Sequence, residues 1–180
     1  MHGSEKSLAD RLQRLEDIEA IRSLKNVYHL YINDCHFDRV GNLFTEDAVV
    51  DMGYMHPSVE PCRGRANIAE WYSNLTEAVG LSQLKQFTHN HTVELDGNVA
   101  SGWSLLEARY GQGTESYDVA AKYEEEYARV DGDWLFSAMR LKVYFTTPIQ
   151  LGWATEHRHH LVLRPGYVPP LSSGATAGPI

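Results

Sequence analysis

The sequence predicts an α+β domain, helices first and a curled, mostly antiparallel sheet second, forming a cone around a pocket. Leu8, Leu12, Leu15, Ile18, Ile21, Leu24 and Tyr28 recur at three- and four-residue steps, the spacing of one stripe along a helix. Two Asp-Gly pairs, Asp96-Gly97 and Asp131-Gly132, join long segments rich in aromatic and β-branched residues and supply the positive φ that tight hairpins demand. Their order matters as well. Short connections make sequential strands neighbours in one sheet, and a long twisted sheet curls around helices laid on one face.

The first helix is predicted over residues 8–32, with Ser7 and Asp10 as a capping pair at its start. His36 to Phe44 reads as a second short helix and Asp47 to Met52 as a strand. Gly53, Pro57, Pro61 and Gly64 mark a loop. Arg65 to Val79 carries Ile68, Trp71, Tyr72 and Leu75 at helical spacing. Four strands follow over Gln86–Leu95, Val99–Tyr110, Tyr117–Val130 and Trp134–Phe145, with Gly111-Gln112-Gly113 as a looser connection. The cone is expected to occupy residues 1–147. Residues 148–180, rich in Gly and Pro, are expected to be an extended tail packed on a neighbouring subunit.

Composition narrows the function. At 180 residues and 43% hydrophobic content, one domain with a real core is expected. Sixteen basic residues against 24 acidic give a net charge of −8 without a basic run, which argues against nucleic acid or an anionic membrane as partner. The start lacks a charged-then-apolar signal pattern, and no apolar stretch approaches the roughly 20 residues that span a bilayer, so a cytoplasmic protein is expected. Cys35 and Cys62 offer neither a disulfide framework nor a thiolate metal cluster. No phosphate-cradling Gly-rich loop, nucleotide fingerprint or Gly-x-Ser-x-Gly elbow occurs, so nucleotide-dependent and serine-hydrolase readings have no support. His89 and His91, with His157, His159 and His160, have no carboxylate at a convincing spacing, and no metal is expected there.

Several stretches together resemble the SnoaL-like branch of the nuclear-transport-factor-2-like superfamily. They are Asp17 through Tyr28, Leu43 through Val49, Gly64-Arg65, Val93 through Ala100, and Tyr123 through Trp134. Val143 through Pro148 is also similar to dehydrochlorinases of that fold, and the first helix to its dehydratases. The resemblance implies lyase, isomerase or cyclase chemistry, with no metal and no organic cofactor, on an apolar, oxygenated ligand such as a polyketide, terpenoid or steroid. It also implies a homo-oligomer, trimer or dimer. Dehydratase-like members use a Tyr and an Asp on the first helix, a His early in the second strand and an Arg late in the last. Those positions fall here on Tyr28, Asn33, Gln86 and Lys142, with Asp34 directly after Asn33. Neither Asn nor Gln is a general base near neutral pH.

Tyr28, Asp34 and His89 are therefore the catalytic candidates. Tyr28 would polarise an oxygen, and Asp34 or His89 would move the proton. Asn33, Gln86, Asn90, Trp103 and Lys142 are the candidate substrate contacts. Each has a plainer reading: Asp34 as a solvated helix-end residue, His89 as a hydrogen-bonded histidine at an interface, Lys142 as a snorkelling side chain, Trp103 as core or cavity wall. Strand parity sets Gln86, Thr88 and Asn90 on one face and His89 and His91 on the other, so an inward His89 requires a bulge. Lys142 shares parity with Trp134, Phe136, Arg140 and Tyr144. Glu124, Glu125 and Glu126 span both parities, which directs at least one inward unless all three form an acidic edge. Two alternatives stand beside general acid–base catalysis. A cyclase could work by holding its substrate with Asn33 and Gln86, and a binding or assembly module could keep the cone without catalysis.

Overall fold

The computed structural model describes residues 7–51 and 60–154. The expectations for the loop at Gly53 and Pro57, for the tail beyond residue 154 and for His157, His159 and His160 lie outside the described residues, while Trp153 stacks on Phe145 of the same chain at a centroid distance of 5.7 Å. Helix α1 (Leu8–Asn33) opens on a complete capping box: the Ser7 side chain accepts from the Asp10 N–H, and the Asp10 carboxylate accepts from the Ser7 N–H. It closes on a Schellman turn. Cys35 sits at φ 59°, the His36 N–H donates to the Tyr31 carbonyl at 2.8 Å, and the Cys35 N–H to that of Ile32 at 3.3 Å. The predicted apolar stripe divides in two. Leu8, Leu12 and Leu15 are exposed, whereas Ile21, Leu24, Tyr28 and Ile32 are buried together with Lys25 and His29.

Helix α2 (Phe37–Val40) and a 3-10 turn (Gly41–Leu43) lead into β1 (Phe44–Asp51). After β2 (Cys62–Arg63) the predicted third helix breaks at Asn74 into α3 (Arg65–Ser73) and α4 (Leu75–Val79). The four long strands are β3 (Leu81–Asp96), β4 (Val99–Gln112), β5 (Glu115–Val130) and β6 (Asp133–Pro148). They form an open mixed sheet in the order β2-β1-β6-β5-β4-β3, in which β1 and β6 run parallel and the other neighbours antiparallel. At the last hairpin Asp131 and Gly132 both have positive φ, 52° and 98°. The earlier turn is Gly97-Asn98, with Gly97 at φ 62°.

The second half of α1 lies on the inner face of this sheet. Phe136, fully buried, touches the rings of Tyr28, Phe44 and Tyr127 at centroid distances of 5.9, 5.2 and 5.1 Å. Asp17 ties the helix to the far end of the sheet by accepting from Arg129 and, at 3.3 Å, from the Trp134 indole. No helix among the described residues is long and apolar enough to cross a membrane.

Extra residues in the strands decide which side chains reach the interior. On β3, His89 pairs with Leu105 and Thr92 with Trp103, so Asn90 and His91 oppose Ser104 alone, and Asn90 takes φ 45°. On β6, Ser137 is extra between the Tyr127–Phe136 and Glu126–Ala138 pairs, and Tyr144 between the Ala121–Val143 and Ala120–Phe145 pairs. Each insertion reverses the facing of every residue beyond it. The more buried residues of β3 are accordingly Gln86 and Thr88 before the bulge and His91, Val93 and Leu95 after it. On β6, Trp134 and Phe136 give way to Met139, Leu141 and Val143.

Candidate active site

Tyr28 projects from α1 into the interior, where its hydroxyl lies 3.0 Å from that of Tyr72 and 3.4 Å from that of Tyr123. Tyr123 donates in turn to Gln86 Oε1 at 3.3 Å. Burial pushes the Tyr72 and Tyr123 pKa values above the ordinary tyrosine range, so both phenols remain neutral hydrogen-bond donors. His29 packs edge-on against Tyr28 and Tyr123, with centroids 5.1 and 5.8 Å away. Its ring nitrogens are buried without a well-formed hydrogen bond, and the Gln86 side chain is the polar group that favours its protonated form.

Asn33 and Gln86 meet through the backbone of β3. Asn33 Oδ1 accepts the Gln86 N–H at 2.7 Å and its Nδ2 donates to the Gln86 carbonyl at 2.9 Å. Such two-sided pairing needs a carboxamide, since a carboxylate has no proton to donate. We expect Asn33→Asp to cost about 1–3 kcal/mol by leaving the Gln86 carbonyl without its donor and facing an anion. Urea unfolding measures this, and an unchanged midpoint would show the clamp to be idle.

The remaining sequence candidates lie elsewhere. Asp34 is the exposed C-cap of α1 and is turned out of the cone by the Schellman geometry. The bulge that an inward His89 requires exists, but it follows His89. His89 therefore stays on the outer face, 51% exposed and 3.8 Å from Glu107, and the reversal acts on His91. Asn90 is exposed at the bulge itself. Trp103 lies opposite Thr92 on the outer face and is 40% exposed, contrary to its reading as cavity wall. Ser137 breaks the parity that linked Lys142 to Trp134 and Phe136, leaving Lys142 exposed opposite Lys122.

Sequence reasoning missed a buried charged network. Lys25, 1% exposed, pairs with Glu125 Oε1, and its ammonium lies over the Tyr123 ring, 3.4 Å from the centroid. Tyr127 donates to Glu125 Oε2 at 2.9 Å, and His91 Nε2 lies 3.0 Å from the Tyr127 hydroxyl. Burial draws the Lys25 pKa down while Glu125 works the other way; burial likewise draws His91 below its ordinary value against the pull of Glu125. Glu125 is the inward member of the Glu124-Glu125-Glu126 run. Lys25 could have been found from its place directly after Leu24 and three residues before Tyr28, inside the buried arc of α1. A cleft of about 370 Å³ opens between α1 and the β3 bulge, lined by Glu19, Arg22, Lys25, Asn26, Thr88, His89, Asn90 and His91. Among the described residues no cluster of three or more His, Cys, Asp or Glu could hold a metal.

Similar proteins share this architecture. A candidate scytalone dehydratase from Novosphingobium aromaticivorans superposes with a TM-score of 0.66 at 18% identity, over 82% of this chain and 95% of that one. The hexachlorocyclohexane dehydrochlorinase LinA-type3 from Novosphingobium barchaimii gives 0.68 at 20% identity, over 82% and 97%. A nuclear-transport-factor-2-like protein with a cystatin-like fold, from N. aromaticivorans, gives 0.63 at 20% identity, over 79% and 92%. These likenesses establish the fold. No curated protein matches the sequence. Residues 13–140 match the SnoaL-like domain, and the chain belongs to that family.

Proposed function

We propose that the protein is a cofactor-independent enzyme that dehydrates, isomerises or cyclises an apolar, oxygen-bearing small molecule. The observation that carries this reading is the Tyr28 hydroxyl, flanked by those of Tyr72 and Tyr123 within an aromatic interior. Neutral phenols in water-poor surroundings stabilise charge that develops on a substrate oxygen far better than the same groups do in water. Fold neighbours that include a dehydrochlorinase and a candidate dehydratase support the reaction class. Exposed Phe87, Trp103 and Tyr144 support the homo-oligomer that the family resemblance implies.

The test is Tyr28→Phe, assayed on a substrate found by screening polyketide-, terpenoid- and steroid-type alcohols and ketones. We expect kcat/KM to fall about 100-fold, the usual cost of one oxyanion donor, in a protein that still folds after losing about 1–3 kcal/mol, because the buried Tyr72 hydroxyl loses its partner. Undiminished kcat/KM would remove Tyr28 from the mechanism. One observation favours a non-catalytic binding module instead: the Asn33 carboxamide is committed to the Gln86 backbone. A tightly bound ligand recovered chemically unchanged after long incubation would favour that reading.

A further inference from the structure

We infer that His91 is the general base of this enzyme, held in one tautomer by Tyr127 and Glu125 and presented to substrate in the cleft between α1 and the β3 bulge. The inference rests on the lyase or isomerase reading above. The tautomer follows from the chain of hydrogen bonds. Glu125, paired with Lys25, accepts the Tyr127 hydroxyl proton through Oε2, so the Tyr127 oxygen must accept from His91. His91 Nε2 therefore bears the proton, and Nδ1 carries the lone pair. This is the arrangement of a base oriented by a second group, which is oriented in turn by a third.

The backbone is shaped to produce it. Asn90 holds φ 45°, uncommon for a residue other than glycine, and the bulge it forms brings His91 to the inner face. Just beyond the bulge, Gly102 pairs with Val93, and a Cβ there would lie 2.6 Å from the Thr92 carbonyl oxygen and 3.3 Å from a carbon of the Tyr127 ring. A larger residue would press on the β3 backbone and on the Tyr127 ring that holds His91. Thr88, which lines the same cleft, keeps a buried hydroxyl without a hydrogen-bond partner.

In an elimination, Nδ1 takes a proton from a substrate carbon, and the C–H electron pair becomes the new C=C bond as the neighbouring C–O bond breaks. The departing oxygen receives the proton back from the imidazolium and leaves as water. Glu125 Oε2, 3.7 Å from His91 Nε2, steadies the transient cation. Glu125 and Tyr127 act from β5, Lys25, Arg22 and Glu19 from α1, and His89 from β3 itself. Tyr127 and Glu125 are positioning residues.

The probe is 5-nitrobenzisoxazole, whose ring opens to 2-cyano-4-nitrophenolate when a base removes its carbon-bound proton and the N–O bond breaks. It needs only a placed base. The full-length protein at pH 7 should open it about 100-fold faster than an equal concentration of free imidazole. His91→Ala and His91→Gln should both lose that advantage, with unfolding midpoints confirming that they fold. Tyr127→Phe should lose about 10-fold and, by 15N NMR of labelled histidine, give a mixed tautomer at His91. The rate should rise with pH through a transition below the ordinary histidine value. His36→Ala, remote from the cleft, should behave as the parent. A protein no faster than imidazole, unchanged rates in both His91 variants, or a loss confined to His89→Ala overturns the assignment. Opening of the probe by a protein whose Tyr28→Phe variant turns over its own substrate normally would retain the base and discard the tyrosine mechanism.

Discussion

Lys25→Met is expected to lower the unfolding free energy by about 3–5 kcal/mol, because it leaves the Glu125 carboxylate inside the cone without its counter-ion. Methionine is nearly the right length, so little of the loss comes from a cavity. Both side chains are essentially inaccessible, at 1% and 0% exposure, so water does not compensate. The double variant Lys25→Met/Glu125→Leu separates the causes. Removing both charges should recover most of the loss, since a buried pair is often no more stabilising than well-packed apolar residues of similar volume. Urea unfolding of the parent, each single variant and the double variant gives the coupling directly. Additive losses would mean that the two groups do not pair in solution.

Acidification should weaken the protein through His29. Burial, assisted by the Lys25 charge, lowers its pKa from 6.5 to about 2. The unfolded chain therefore takes up a proton below about pH 6.5 that the folded chain refuses until near pH 2, so stability falls as pH drops across that window. One buried site that refuses a proton over that window costs on the order of 3 kcal/mol by pH 4.5. His91, lowered in the same direction, adds to the effect. His29→Leu should flatten the dependence by roughly that amount, and replacing a buried imidazole that lacks a well-formed hydrogen bond should cost little stability at pH 7. Unfolding curves at about pH 7 and pH 4.5 decide it. Equal acid sensitivity in His29→Leu and the parent would place the titrating groups elsewhere.

The elements were legible because they are written in periodicity and turn chemistry. The stripe ending at Tyr28 and the turns near Asp96 and Asp131 gave the helix and the hairpins nearly where they lie. The break at Asn74 was not legible, since Ile68, Trp71, Tyr72 and Leu75 keep helical spacing across it. Facing within strands failed for one physical reason. Parity carries forward only until a bulge; Ser137 as a residue type does not mark one, and Asn90, which tolerates positive φ, marks one only weakly inside an otherwise unbroken strand pattern. A single extra residue therefore exchanged His89 for His91, and another turned Lys142 outward. Lys25 was hidden differently: a lysine inside an apolar stripe reads as its solvent flank until the Glu125 that receives it is located. Asn33 explains its own departure from the family pattern, because the carboxamide does what an aspartate at that place could not.

The same clamp bears on how the protein behaves in a crowded solution. Among the described strands β3 ends the sheet, and 16 residues of unpaired edge would offer other chains a template for strand addition. Asn33 answers the Gln86 N–H and C=O as a neighbouring strand would, the exposed Lys85 reaches to the Asn33 carbonyl, and the bulge at Asn90 interrupts the ladder five residues from Lys85. What remains available on either side is a pair of short, twisted runs. A site-shaping bulge and a helix-end amide thus also keep copies of this sheet from joining edge to edge.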